Sequence, residues 1–398
     1  MNDQPSPRPR PKRWKCILGI AAILVLSTII AALAILSSFD FNALKPLLAQ
    51  VVKQETGRDL EIRGAIDFQL GLRPSLVMED LVFQNAPWAS SPEMVKIKRL
   101  EAKVKVLPLL NGDISISRLV MLEPEVFLET DKAGKGNFEF EKPQAPSQKN
   151  TASSDLALPR MAFHEVQIEK GKISYRDGGK GTLYSVAIDR FTAHSEGLES
   201  PMLLAFNGSY KGNPFELSGT VGSLLHLKGS SKGYPLDLIV KTSSAQLKVE
   251  GTIQDVLNLK GLSLKASAEV QSTSQMTAFL GEIFPVEVGP LQTTATISDG
   301  GDKTYKLTDF RISSKAGDAG GSLTLALGGE RLKLHGTLAS QKLDLNPFLN
   351  GGKTKHRKKE ISSRKDRIFP DDPLPLHVLK NVNFELKIDA GQVQVATR

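Results

Sequence analysis

The stretch LEIRGAIDFQL, residues 60–70, sets Leu60, Ile62, Ile66, Phe68 and Leu70 on one side of an extended chain. Glu61, Arg63, Asp67 and Gln69 fall on the other side. Strict period-two alternation marks a strand with one dry face and one wet face. The same period returns in LEAKVKVL, where Leu100, Ala102, Val104 and Val106 alternate with Glu101, Lys103 and Lys105, and again in DISISRLVML. VQIEKGKISYRD reads as two strands about a turn at Gly171. SLTLALGGERLKLHGTL reads as a hairpin, with Leu323, Leu325 and Leu327 before Gly328-Gly329 and Leu332 and Leu334 after it. NFELKIDAGQVQV places Phe384, Leu386 and Ile388 ahead of a turn at Gly391, then Val393 and Val395. A chain patterned this way is mainly β and built of many short antiparallel strands, and something must cover the dry faces.

Helical periodicity is scarce. FNALKPLLAQVVKQETGR carries Leu44, Leu47, Leu48, Val51 and Val52 at helical spacing, with Gly57 placed to end the helix. Such an amphipathic helix either caps the sheet that follows or lies on a membrane surface; capping is the plainer reading. A second, short helix is expected near SQMTAFLGEIF.

From Cys16 to Phe39 there are 24 residues without a charge. About 20 apolar residues cross a bilayer as a helix. A cleaved signal peptide has a shorter apolar core, and the ALA at 32–34 lies too deep in the run to serve as its cleavage site. The run therefore reads as an uncleaved membrane anchor, its apolar body carried by Ile17, Leu18, Ile23, Leu24, Leu26, Ile29, Ile30, Leu33 and Leu36. Residues 1–15 hold five basic groups against Asp3, which keeps that end in the cytoplasm by the positive-inside rule. The bulk of the chain then lies on the far side, the periplasm in a bacterium anchored through its inner membrane. Cys16 is the sole cysteine, so the exported part is held by packing rather than by disulfides. The residues before Cys16, Arg13-Trp14-Lys15, are not the small apolar run of a lipoprotein signal.

The net charge of +8 does not point to nucleic acid. Residues 1–15 contribute +4 and residues 351–367 contribute +6, so the rest of the chain sits near −2. Nucleic-acid readers carry basic residues among aromatics on a folded face, whereas these lie in polar segments. The run at 353–367 is read as a solubilising spacer, with contact to anionic headgroups as the alternative. Residues 141–160 and 349–372 read as linkers. The resulting division is a basic tail (1–15), an anchor (16–39), a β domain with its short helix (40–140), a linker (141–160), a repeated β region (161–348), a basic linker (349–372) and further strands (373–398), and the chain stops just after a strand, as either a short protein or a fragment would.

No catalytic or metal-binding constellation emerges. His164, His194, His226, His335, His356 and His377 are scattered, with no ligand or nucleophile spacing. DGGKG at 177–181 and GDAGG at 317–321 lack the strand-to-helix context of a phosphate loop and read as hairpin turns. SDGGD at 298–302 is an isolated turn, and Glu79 and Asp80 read as part of a solvated face. No cofactor is expected, and the chain is read as non-enzymatic.

Taken in order, Thr56-Gly57-Arg58, Asn85-Ala86-Pro87-Trp88, Leu110-Asn111-Gly112 and Gly136-Asn137-Phe138 resemble the AsmA family, whose architecture is similar to TamB and other bridge-like lipid-transfer proteins. Phe138 stands where the family often has Trp. The resemblance is strong over about residues 15–140 and looser through YSVAIDRFTAHSEG, FNGSYKGNPFELSGTVGSL and QLKVEGTI. It implies an inner-membrane anchor, an elongated, curved, groove-forming antiparallel sheet in the periplasm, and a role in outer-membrane lipid homeostasis by conducting phospholipid.

An antiparallel sheet with one apolar face covers it with a second sheet, a helix layer or a ligand. Helices are too few for a layer. The residues alone leave a sandwich and an open trough both standing; the resemblance implies the trough. Its expected lining is Leu60, Ile62, Ile66, Phe68, Leu70, Leu100, Val104, Val106, Leu323, Leu325 and Leu327. The expected partners are phospholipid acyl chains and the inner membrane. The rival reading is a scaffold that assists outer-membrane protein insertion through its strand edges, with an outer-membrane or periplasmic protein as partner.

Overall fold

A computed structural model describes residues 39–69, 74–105, 115–140, 162–197, 199–227, 233–256, 259–280, 287–301, 303–327, 332–347 and 382–395. The anchor run up to Ser38, Leu70, Val106, Leu110-Asn111-Gly112, the turn at Gly328-Gly329, and the stretches 141–160 and 349–372 lie outside them. Among the described residues no helix is long and apolar enough to cross a membrane.

A 3-10 turn over Phe41–Leu44 runs into helix α1, Lys45–Thr56, with Pro46 in its first turn and Gly57 in the left-handed conformation at its end. Only glycine adopts that conformation without a Cβ penalty, so the helix stops where the sequence places its stop. The opening stretch then forms two short strands rather than one, β1 (Leu60–Ile62) and β2 (Ile66–Gln69), both antiparallel to β3 (Ser75–Gln84). The break falls at Arg63-Gly64-Ala65. A Cβ on Gly64 would stand 2.6 Å from the Cβ of Glu79, so the chain there runs against its neighbour.

From β3 the sheet grows by neighbours: β4 (Glu93–Val104) and β5 (Ser115–Glu129) are antiparallel, then β6 (Ala162–Phe163) and β7 (Glu165–Arg176) both lie parallel to β5. An unbroken antiparallel meander follows through β8 (Leu183–Ser195), β9 (Met202–Tyr210), β10 (Asn213–Val221), β11 (Tyr234–Thr242), β12 (Ala245–Asp255) and β13 (Lys260–Val270). Helix α2 (Thr273–Leu280) intervenes, and the meander resumes with β14 (Leu291–Gly301), β15 (Thr304–Ser314), β16 (Gly317–Ala326) and β17 (Leu332–Asp344). β18 (Val382–Gln394) closes the series, parallel to β17. With β1 and β2 sharing one place and β6 and β7 another, eighteen strands among the described residues fill sixteen places in one sheet. At about 4.8 Å per step the ribbon is roughly 70 Å from edge to edge.

Further expectations change. The sheet is not wholly antiparallel: the joins β5–β7 and β17–β18 are parallel. A parallel join needs a long crossover to return the chain to its starting end, and residues 141–160 and 349–372 fall in those two crossovers. Second, VQIEKGKISYRD is the single strand β7. Lys170 takes a left-handed φ of 53° inside it, and pairing with β5 and β8 continues on both sides of Gly171. Third, β18 likewise runs straight through Gly391. Fourth, GDAGG is the start of β16 rather than a turn; the turn lies before it, at Lys315-Ala316. SDGGD likewise continues β14 through residues 298–301 rather than turning. DGGKG does turn, joining β7 to β8 with Asp177 accepting from the amides of Gly179 and Lys180.

One line across the first strands breaks the alternation. Asp80, Glu123 and Lys170 all have φ near 50°, and the register places them level with one another on β3, β5 and β7. On β3 the apolar positions pass from Leu76 and Met78 to Leu81 and Phe83, and on β4 from Leu100 to Ile97. Ile62, Ile66 and Leu81 form one core cluster with Met78, Ile97 and Leu100 packed against it. The dry side therefore stays on one face although the period slips by a residue, as at a bulge.

Candidate functional site: an uncovered apolar face

Following the register from strand to strand gives one row of side chains: Ile66, Met78, Leu100, Met121, Ile168, Phe191, Phe206, Leu217, Val240 and Leu247. Two residues along each strand lies a parallel row: Phe68, Leu76, Ala102, Leu119, Val166, Ala193, Leu204, Gly219, Leu238 and Val249. Between them, on the opposite face, the row reads Val77, Glu101, Val120, Gln167, Thr192, Ala205, Ser218, Ile239 and Lys248. Its other neighbour is more polar still, with Glu79, Arg99, Glu169, Arg190, Asn207, Glu216 and Lys241 interrupted by Leu122. Cross-strand neighbours on one face touch, so the apolar rows make a continuous track across β2 to β12. Past β12 the track narrows to Ala268, Thr293 and Ile312.

Among the described residues this track has the burial of an open face rather than of one sealed by a second layer, and the extensive approaches between strands are between ladder neighbours. Of the first row only Ile66 is buried; its members from Met78 to Val240 are half-buried and Leu247 is exposed. The exception lies at the β2 end, where α1 and the 3-10 turn lie over the sheet. Phe41 and Leu48 pack onto Ile62, Ile66 and Leu81, and Phe41 stacks on Phe68 with ring centroids 4.9 Å apart.

The side chains expected at the lining take different places. Ile62 and Ile66 are sealed under α1; Leu60, Phe68 and Leu100 rim that cluster half-buried. Val104 is half-buried at the end of β4. Leu323 and Leu325 are half-buried in β16, Leu323 in a row with Ile297 and Leu307, and Leu327 is exposed beyond the end of the strand. The middle of the track, Phe191, Phe206, Leu217 and Val240, was not singled out by sequence. Its signal was present in FELSG, which alternates at period two, and more faintly in MLLAF and LDLIV, where apolar residues also fill intervening positions.

A polar corner anchors the start of the sheet. The side chain of Asn137 is fully buried. It donates to Asn85 Oδ1 and to the Phe127 carbonyl, each at 2.9 Å, and accepts from the Glu129 amide at 2.9 Å. The buried Glu129 carboxylate accepts from the amide and hydroxyl of Ser90, both at 2.8 Å. Beside this knot the Arg58 guanidinium lies 4.8 Å from the centre of the Phe140 ring and meets Met94 Sδ at 3.1 Å, and burial lowers its pKa. Three of the quoted motifs thus converge on one corner, where their residues make structural contacts.

Among the described residues no group of three or more His, Cys, Asp or Glu is placed to hold a metal ion. His164 lies beside Lys105, His226 beside Ser223, and His335 3.3 Å from Glu385. Asp299 accepts from the Gly261 amide across the β13–β14 ladder, and Glu79 pairs with Arg99 at 3.3 Å.

Comparison with known proteins agrees with the motifs. The AsmA family model matches residues 10–198. The chain is 23% identical to the AsmA family protein YhjG of Escherichia coli (strain K12) over 390 residues, covering 89% of this chain and 56% of that protein. The chain thus spans little more than half the length of that relative.

Proposed function

We propose that this chain, AsmA family in sequence over residues 10–198, is a cell-envelope protein whose uncovered sheet face receives the acyl chains of phospholipids. In this reading the uncharged run 16–39 anchors it in the inner membrane with the sheet in the periplasm, and the apolar track conducts lipid toward the outer membrane. One observation carries the reading: two adjacent apolar rows cross the sheet from β2 to β12, and past the β2 end their large side chains are left half-buried or exposed among the described residues. An apolar face left to water is unfavourable, and each CH₂ moved onto it is worth about 0.8 kcal/mol. A 16-carbon chain therefore gains on the order of 12 kcal/mol before ordering costs. A sandwich would have sealed the same side chains.

The test is photo-crosslinking from paired positions on β9 and β10. Probes at Phe206 and Leu217 face the track, and probes at Asn207 and Glu216, their neighbours in the ladder, face away. Labelled phospholipid is expected on the first pair alone; equal labelling of both pairs, or none, refutes the reading. A second reading, a scaffold acting through a strand edge, draws on β18, whose pairing in the described residues is to β17 alone and whose Ile388 and Val393 are exposed. It predicts a protein crosslinked at β18 and no lipid at Phe206.

A further inference from the structure

We infer that helix α1 seats on a phospholipid bilayer through its outward stripe, placing the apolar track against the membrane surface. The helix has two faces. Leu48 and, from the preceding turn, Phe41 point into the core with Ile62, Ile66 and Leu81. The opposite side presents Ala43, Pro46, Leu47, Gln50, Val51 and Gln54, all exposed and none charged; Leu47 is 55% and Val51 47% accessible. Charges stand only at its margins: Lys53, paired with Asp59 at 2.7 Å, on one side and the exposed Glu55 on the other. A surface helix that faced only water would carry charges on that side.

Chain continuity selects the occupant. The 24-residue uncharged run ends at Phe39, two residues before the turn that leads into α1. On the anchor reading proposed above, a run of that length and character lies in a bilayer, and the helix then begins at the boundary. Interfacial helices bury their apolar side about 5–10 Å into the headgroup region, which leaves the sheet side of α1 facing away from the lipid. From that boundary an aromatic path leads onto the sheet: Phe39 meets Phe41 edge to face at 4.9 Å, and Phe41 stacks on Phe68, a member of the second apolar row. The seat rests on the exposed stripe of α1 together with the anchor reading of the run before it; the use of this path as the entry for acyl chains rests in addition on the function proposed above.

The experiment uses the full chain with Cys16→Ser, reconstituted in vesicles of phosphatidylethanolamine and phosphatidylglycerol. Single cysteines, Leu47→Cys, Val51→Cys and Glu61→Cys, carry an environment-sensitive fluorophore. Chain-brominated lipid is expected to quench the first two at least threefold more than the third. Gln50→Cys places a label on the same stripe without removing an apolar side chain, and guards against misfolding of the first pair. Equal quenching at positions 47, 51 and 61 overturns the seat, as does crosslinking of position 51 to a second copy or another protein without quenching. Quenching at 47 and 51 without lipid at Phe206 keeps the seat and removes the proposed function; lipid at Phe206 without quenching removes the seat alone.

Discussion

Replacing Asn137 with alanine tests whether the polar corner holds the start of the sheet. The substitution deletes three hydrogen bonds of 2.9 Å at a fully buried position. The Glu129 amide and the Phe127 carbonyl then lose a buried partner, while Asn85 Oδ1 keeps the Ala86 amide at 2.8 Å. At about 1–3 kcal/mol for each buried polar group left unmet, two such groups cost roughly 2–6 kcal/mol. The loss should fall on the corner rather than uniformly, because a sheet of this width opens in parts. Trp88, next to the knot, reports it by fluorescence in urea, and hydrogen exchange at Ala86, Glu129 and Asn137 localises it. A double-mutant cycle with Asn85→Ala should return a coupling of about 1 kcal/mol or more, since the two amides touch. A loss below about 0.5 kcal/mol, with exchange unchanged at those amides, would show that the knot is incidental and that packing of Phe83, Arg58 and Phe140 holds the corner.

Two further outcomes follow from local geometry. Lys170 is exposed and left-handed at φ 53°, so Lys170→Val should cost about 1–2 kcal/mol in urea unfolding while Lys170→Gly should not destabilise the chain; equal effects of the two would refute backbone strain as the cause. Glu287 accepts from the amides of Thr273, Ser274 and Gly289 and the hydroxyls of Ser272 and Thr273 at the start of α2. Partial burial pushes its pKa up, and these donors pull it further down, from 4.5 to about 2. A lowered folded pKa means its contribution is complete above about 4.5 and vanishes as pH falls through about 2. The gap in urea midpoint between the native chain and Glu287→Gln should therefore shrink on acidification, and a gap that widens contradicts the assignment.

Much of the strand content was legible because burial on one face writes itself into the chain at period two. Phe206, Leu217 and Leu238 show it as openly as Ile66 and Phe68. What period two cannot carry is a slip: the left-handed residues Asp80, Glu123 and Lys170 shift the alternation by one while the dry face continues. Gly171 and Gly391 were read as turns on the same footing, since glycine serves turns and mid-strand close approaches alike. The partners of Asn137 were hidden for another reason: Asn85 lies 52 residues away, and no local pattern joins them.

The residues alone determined the strand-rich class, the uncharged run of anchor length, the helix ending at Gly57 and the motifs that resemble the AsmA family, because each depends on neighbours within a few positions. Tertiary structure decided which strands stand side by side, and thereby that the two polar crossovers join parallel strands within one sheet. It also decided that, among the described residues, α1 covers only the first edge of the dry face and the large side chains of the track from β3 to β12 are left half-buried or exposed. Alternation records that a side is apolar; what lies across from it is a property of distant segments, which one strand's sequence does not encode.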